Sequence, residues 1–310
     1  MSPAVSIVMA AKNYARFLPE AVESVVAQSF ADWELLIIDD GSTDATPQVV
    51  QPFLADTRVR YTRSDRLGQS RAKNLGISLA RGEFVAFLDA DDAWEPAKLE
   101  KQLALFQDRP GVGVVYSRRS LVDESGQALP QSHPATLPRG RVLAQMFVQN
   151  HVCFSSAVVR RIVFSHVGAF DPEWDLAIDY DLWLRVARHY EFDYVDEELV
   201  RYRTGHGNLS KKLADRVDTA LAIMHRAETR RAIAQELPAE CIAEAHASTC
   251  RTMGYVMRAS EPLTAARWYL HALRYPHARL VSMKGVLISV LCWLSGRRAA
   301  GSPENASVNR

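Results

Sequence analysis

Three carboxylates, Asp89, Asp91 and Asp92, stand within four residues at the end of the apolar run 84–88. Carboxylates this close repel one another, and a cation or strong donors must neutralise them. A hard divalent cation on oxygen ligands is one chemistry such a cluster serves. A solvated acidic turn capping a helix that starts near Pro96 is the competing reading, because Asp is common in turns and at helix N-termini. A second acidic pair, Asp39-Asp40, closes another apolar run, 33–38. Asp179 stands at the start of a helical pattern running on from 181, where free N–H groups and the helix dipole favour a carboxylate. An N-cap alone would also explain it. His206 lies in the glycine-flanked loop 204–210, a setting in which a lone histidine is usually just solvated.

These residues need elements that bring them together. The runs 5–10, 33–38, 59–61 and 84–88 read as buried strands, and 17–29, 43–54 and 68–80 between them as helices. That alternation predicts βαβ units and a mostly parallel sheet. Ligands bind beyond the carboxyl ends of the strands in such sheets. Both acidic strand ends, 39–40 and 89–91, should therefore face one crevice. Further on, the pattern predicts a helix over 96–106, a strand over 112–116 and a Gly-, Pro- and Ser-rich loop over 125–139. A short helix over 142–148, a strand over 155–159 and a last strand over 198–203 follow, and from 211 onward the chain reads as helical.

The composition, 310 residues with 48% hydrophobic, 24% charged and a net charge of +1, fits one large domain or a domain with an appendage. The balance conceals an asymmetry. Residues 1–210 carry 22 Lys/Arg against 28 Asp/Glu, whereas 211–310 carry 15 against 8. No nucleic-acid partner is expected. The four scattered cysteines form neither a zinc motif nor a disulfide framework, which points to a reducing, cytoplasmic compartment. The apolar stretch 6–11 is too short for a signal peptide, and no run reaches the ~18 residues of a spanning helix.

With Asp40, Asp91 and Asp179 in place, seven segments become comparable in order and spacing to a known pattern. They are Ser6-Ile-Val-Met9, Asp39-Asp-Gly-Ser-Thr-Asp44, Gly68 with Asn74-Leu-Gly76, and 82–92. The others are Val167-Gly-Ala-Phe-Asp171, Asp179-Tyr-Asp-Leu-Trp-Leu-Arg185, and Tyr202-Arg203 with Asn208-Leu-Ser210. Together, over about residues 4–210, they resemble family 2 glycosyltransferases of the GT-A fold. The resemblance implies an α/β catalytic domain over 1–210, Rossmann-like, its mostly parallel sheet flanked by helices. A C-terminal helical extension over 211–298 and a disordered tail over 299–310 complete the expected organisation.

The same resemblance implies roles. Ala10, Lys12, Asn13 and Asp40 would hold the base, usually uracil, and its ribose. Asp89, Ala90 and Lys73 would face the donor, Asp91 would ligate Mn²⁺ or Mg²⁺ with His206 as a further ligand, and Asp179 would be the general base. The implied reaction is inverting transfer from a nucleotide-diphosphate sugar, a UDP-sugar in the usual case, to a hydroxyl of a glycan or lipid-linked acceptor in cell-surface polysaccharide synthesis. Three positions depart from the family pattern. Ile178 precedes Asp179 where Glu is common, Lys73 replaces an Arg and loses its bidentate geometry, and Gly205 occupies the usual histidine position with His206 one later.

Rival readings fare less well. A dinucleotide-binding enzyme would carry G-x-G-x-x-G after the first strand, but 13–16 reads Asn-Tyr-Ala-Arg. A haloacid-dehalogenase-type phosphatase also places D-x-D after an apolar strand, though normally the first one. A binding protein that had lost catalysis would have no need to keep Asp179 together with the acidic pair. Outside the resemblance, 262–276 looks like one helix of a tetratricopeptide-type pair, with a helical lid as the alternative. The stretch 279–298 joins apolar residues to Arg279, Lys284, Arg297 and Arg298, and is expected to lie against an anionic membrane surface.

Overall fold

The computed structural model describes residues 2–205, 213–229, 233, 235–275 and 279–295. In chain order the elements are β1 (Val5–Ala11), α1 (Leu18–Val26), β2 (Trp33–Asp39), α2 (Thr46–Val50), β3 (Val59–Arg63), α3 (Gln69–Leu79), β4 (Phe84–Phe87) and β5 (Ala93–Trp94). There follow α4 (Lys98–Ala104), β6 (Val112–Val122), α5 (Leu143–Val148), β7 (Val158–Arg160), α6 (Ile162–Val167), α7 (Ile178–Ala187) and β8 (Glu191–Arg203). Four helices close the series: α8 (Leu213–Thr229), α9 (Ala239–Met257), α10 (Pro262–Ala272) and α11 (Arg279–Ser295). The chain divides into two compact units. The first comprises Met1–Val142 with His151–Asn208, the second Leu143–Asn150 with Leu209–Arg310, so α5 belongs to the second.

The first unit is built on an eight-stranded sheet of order β3-β2-β1-β4-β7-β6-β8-β5. β3, β2, β1 and β4 run parallel, as do β6 and β8, while β7 is antiparallel to both its neighbours and β5 to β8. Every residue of β2 is buried, which is why its sequence is apolar apart from Asp39 at its end and Glu34, which pairs with Arg60 and Arg81. β2 and β4 flank β1, with Ala11 beside Asp39 and Val8 beside Phe87. Their carboxyl ends therefore share one edge of the sheet. α3 lies close against β1 at Gly76, where a Cβ would come within 2.4 Å of Val8. Only a residue without a side chain allows that approach.

Three elements differ from the sequence pattern for identifiable reasons. The helix expected over 43–54 is α only to Val50 and continues as a 3₁₀ turn, Gln51–Ala55, because Pro52 has no N–H for the α-helical ladder. The strand expected over 155–159 begins as a 3₁₀ turn, Phe154–Ser156, in which the Ser156 hydroxyl donates to the Cys153 carbonyl at 2.7 Å. β8 begins seven residues earlier than the 198 expected. Its first half is masked in the sequence by Asp193, Asp196 and Glu197, which pair with Arg109, Arg118 and Lys101. In the second unit the Tyr269 ring of α10 is gripped between Gly254 of α9 and Gly285 of α11, where added Cβ atoms would fall 2.7 and 2.4 Å from it.

One core residue is out of character. Lys98 is fully buried, its amine 2.6 Å from Gln102 Oε1 and 4.0 Å from the centre of the Trp94 ring. Contact with an indole face is worth about 2 kcal/mol to a buried ammonium, against several kcal/mol for desolvating it. Burial therefore dominates and drives the amine's pKa well below its ordinary value. Between that lowered pKa and the unfolded value the unfolded chain binds a proton that the folded chain refuses. Lys98 thus makes stability rise with pH through that window. The melting-temperature gap between Lys98→Met and the parent should accordingly shift in the parent's favour as pH is raised from neutral towards the lysine range. A gap that does not vary with pH would show a charged amine in the core.

Candidate active site

The end of β2 is built to fasten loops. Asp39 is buried, accepting the Ser42 N–H at 2.8 Å on one oxygen and the Tyr61 hydroxyl on the other. Ser42 Oγ accepts the Asn13 N–H at 2.9 Å, and Asn13 Oδ1 accepts the Thr43 N–H at 2.8 Å. Asn13 has φ +61°, in the left-handed region that Asn tolerates better than other side chains. Asp44 adds the Ala15 N–H at 3.0 Å. The segment 39–44 thereby locks the loop after β2 onto the loop after β1. Asp40 holds a third loop: its carboxylate takes the N–H groups of Leu67 and Gly68, the latter at 3.0 Å, and the Ser64 hydroxyl at 3.1 Å. Lys12, exposed at the rim, stands 3.9 Å from it, and Ala10 is half-buried in β1.

The acidic turn after β4 sorts its carboxylates by direction. Asp92 points inward, accepting the Arg203 N–H at 2.9 Å and the Ser155 hydroxyl; Ser155 Oγ in turn accepts the Asp89 N–H at 3.1 Å. The Arg203 guanidinium, also buried, donates to the carbonyls of Asp91 at 2.9 Å, Asp123 at 3.1 Å and Glu124 at 3.2 Å, and to the Glu20 carboxylate. The Trp94 indole N–H donates to the Ser155 carbonyl at 2.7 Å. Ala90 is buried between the acids, and Asp91 is 8% exposed. Asp89 keeps 35% of its side chain exposed and pairs with the buried Lys73 ammonium at 3.0 Å. Lys73 also lies 4.0 Å from the Phe154 ring centre.

Charge at this edge is frustrated. Desolvation raises the Asp89 carboxyl's pKa and the charges of Asp91 and Asp179 push the same way, while Lys73 opposes them. Desolvation, then Asp91 and Asp89, push Asp92 well above the carboxylate range. The phenol of Tyr14 is raised by burial and by Asp91, Asp89 and Asp92, which sets it beside the same cluster. Carboxylate oxygens under mutual repulsion suit a hard cation such as Mg²⁺ or Mn²⁺. Among the described residues no three or more His, Cys, Asp or Glu form a metal cage.

Asp179 is delivered by a clamped segment. It sits half-buried in the first turn of α7, after Ala177 in the left-handed region at φ +50°. Asn74 of α3 bonds both backbone groups of Phe170, at 2.8 and 2.9 Å, and Ser70 donates to the Trp174 carbonyl at 2.7 Å. From α7, Arg185 pairs with Asp181 at 2.9 Å and donates to the carbonyls of Val167 at 2.6 Å and Ala169 at 2.7 Å. Two helices thus grip 167–174 and fix the approach to Asp179, whose charge is felt at Asp89.

Of the residues singled out in the sequence, Lys73, Asp89, Ala90, Asp91 and Asp179 come together here. Ala10, Lys12, Asn13 and Asp40 line the neighbouring end of β1 and its loops. His206 lies outside the described residues. Ser155, Tyr14 and Glu20 escaped notice as site residues, because nothing in their own spacing marks them, and Arg203 was noted only as part of the segment Tyr202-Arg203. The cue was indirect: three acids drawn into a buried turn require donors, and Arg203 ends the strand that reaches them.

The family described as Glycosyl transferase family 2 matches residues 6–168 of this chain. An uncharacterized glycosyltransferase of Nostoc sp. is 34% identical over 211 residues, covering 66% of this chain and 65% of that protein. This chain thus spans just under two thirds of that relative's length. Chondroitin synthase of Escherichia coli is 28% identical over 215 residues, 69% of this chain but 31% of its own length. Among solved structures, S. aureus TarS residues 1–349 in complex with UDP-GlcNAc matches with a TM-score of 0.63 at 17% identity, covering 96% of this chain and 93% of that one. A Pyrobaculum calidifontis mannosyltransferase in complex with GDP-Man and Mn²⁺ matches at 0.56 and 18%, covering 95% and 88%. At such identities the structural likeness speaks for the fold, which is that of the GT-A enzymes.

The turn geometry makes Asp92 a test of its own. Asp92→Asn keeps an acceptor for the Arg203 N–H and removes one repelling charge, so its melting temperature should equal or exceed the parent's. Asp92→Ala leaves the Arg203 N–H and the Ser155 hydroxyl without a buried partner and should cost about 1–3 kcal/mol in denaturant unfolding. Equal losses in both variants would mean that the charge itself stabilises the turn.

Proposed function

The chain belongs to glycosyltransferase family 2, and from that premise we propose that it transfers a sugar from a nucleoside-diphosphate donor to a hydroxyl of a glycan or lipid-linked saccharide, with inversion at the anomeric carbon. The observation that carries this reading is the meeting of Asp89, Asp91 and Lys73 with Asp179 at one sheet edge. UDP-GlcNAc in TarS and GDP-Man with Mn²⁺ in the mannosyltransferase support the donor class. A UDP-sugar is the donor proposed here, and cell-surface polysaccharide synthesis the setting, in keeping with the likeness to chondroitin synthase. A reducing, cytoplasmic compartment is the location proposed, from the scattered spacing of the cysteines in the sequence.

In the step proposed, the acceptor oxygen bonds to the anomeric carbon as the bond from that carbon to the diphosphate oxygen breaks. The acceptor's proton passes to the Asp179 carboxylate, since a hydroxyl is a poor nucleophile until a base takes it. The nucleoside diphosphate departs with the bonding pair. A bound Mn²⁺ or Mg²⁺ would stabilise the charge growing on that leaving group. Asp91 is the proposed ligand, Asp89 faces the donor, and His206 is retained as a further ligand. Lys73 holds Asp89 and adds a positive charge beside the diphosphate. Ala10, Lys12 and Asn13, with the loops that Asp40 fastens, form the wall proposed for the nucleoside.

Nucleotide release from a panel of sugar nucleotides, with Mn²⁺ and then with chelator, tests the reading. One donor should turn over with the metal and fall to background without it. Asp91→Ala should abolish the metal response. Asp179→Asn should lower kcat by about 10²–10⁴ while donor binding is kept. Turnover unchanged in Asp91→Ala would overturn the metal role, and unchanged in Asp179→Asn the base.

A further inference from the structure

The last described helix is turned inside out. Along α11 the buried positions are Ser282, Gly285 and Ser289, spaced three and four apart on one face. Gly285 rests on the Tyr269 ring, Ser289 satisfies its hydroxyl on its own helix at the Gly285 carbonyl, 2.8 Å away, and Ser282 Oγ has no hydrogen-bond partner among the described residues. The large apolar residues face the other way. Leu280, Val281, Met283, Leu287, Ile288, Leu291 and Leu294 are each between 42% and 79% exposed. A helix that owed its fold to the protein alone would bury the leucines and expose the serines. An exposed apolar patch of this extent marks a surface that something covers.

Charge decides what covers it. Arg279 opens the helix and Lys284 is exposed along it, Arg297 and Arg298 follow in the sequence, and no acid occurs between Glu261 and Glu304. A second copy laid face to face would set these bases against their own duplicates. A layer of anionic headgroups meets them with opposite charge, and the acyl region below accepts the leucines. The helix has 17 residues, about 25 Å of length. No described helix is long and apolar enough to cross a bilayer.

We propose that the exposed apolar face of α11 seats this protein on an anionic lipid surface, with the helix lying in the plane of the interface. The inference stands apart from the glycosyl-transfer reading, and its test does not require turnover. Full-length protein is floated with phosphatidylcholine vesicles, pure or containing about a third phosphatidylglycerol, and the bound fraction is measured. The parent should float with the anionic vesicles and bind the neutral ones several-fold more weakly. Leu287→Glu combined with Leu291→Glu should cut binding to the anionic vesicles at least about tenfold, with helical content and melting temperature kept because both side chains face outward. Lys284→Glu, a milder change, should cut it several-fold, and more at low salt than at high. Three results would each overturn the proposal: a parent that stays in solution, a double variant that floats as well as the parent, and equal binding to both vesicle types. So would a parent dimer that the double variant splits into monomers while neither binds vesicles, since a second copy would then be the cover.

Discussion

Like charge packed into a small buried volume is the constraint on which the first unit depends. Two carboxylates about 4 Å apart at an effective dielectric of 20 repel by roughly 4 kcal/mol, and the turn after β4 brings three together. The fold meets the cost by giving each acid a separate outlet. Asp92 is turned in to the Arg203 N–H and the Ser155 hydroxyl, Asp89 is turned to Lys73, and the carbonyl of Asp91 is held by Arg203. Arg203 then draws in Glu20 and the carbonyls of 123 and 124, so α1, the β6 loop and the end of β8 all converge on that turn. The sheet edge is organised around neutralising what β4 delivers.

Seen this way, most of the polar residues in the recognisable segments are fasteners. Asp39, Asn13, Ser42 and Asp44 bind one loop to the next, Asp40 closes 64–68 on itself, and Asn74 with Arg185 grips the approach to α7. These bonds are side chain to backbone, and they satisfy loop N–H and carbonyl groups that would otherwise cost stability when buried. A carboxylate proposed as base is only as well placed as the segment leading to it is fixed. Asp179 itself makes a modest demand on sequence, one acid in a first helical turn. The demand falls on the residues around it.

That division explains what could be read in advance. The parallel half of the sheet was legible because buried strands leave continuous apolar runs, and 33–38 and 84–88 carry little else. The acids were legible because their clustering is improbable without a use. β8 was half-hidden, since its acidic residues find cations on neighbouring elements, a solution invisible along one chain segment. Ser155 and Arg203 were hidden for the same reason: their partners are 63 and 111 residues away. The buried amine of Lys98 defied the pattern altogether, since a lysine four residues before a glutamine reads as a solvated helix face. Sequence reveals what a residue is drawn to only when the partner is close by.

On the proposed reading, the diphosphate of the donor meets an acidic crevice. Asp89, Asp91 and Asp179 face the ion pair's single lysine, and without a further positive charge the balance would repel the donor. A doubly charged cation, as proposed for this site, would reverse that sign. Had Arg stood at 73, a bidentate fork could have taken up both oxygens of Asp89 and left less for an ion. The lysine at this position makes a point contact on one oxygen, 3.0 Å from its ammonium. On the proposed reading the remaining negative charge would discriminate, disfavouring a bare anion and admitting the same anion with its metal.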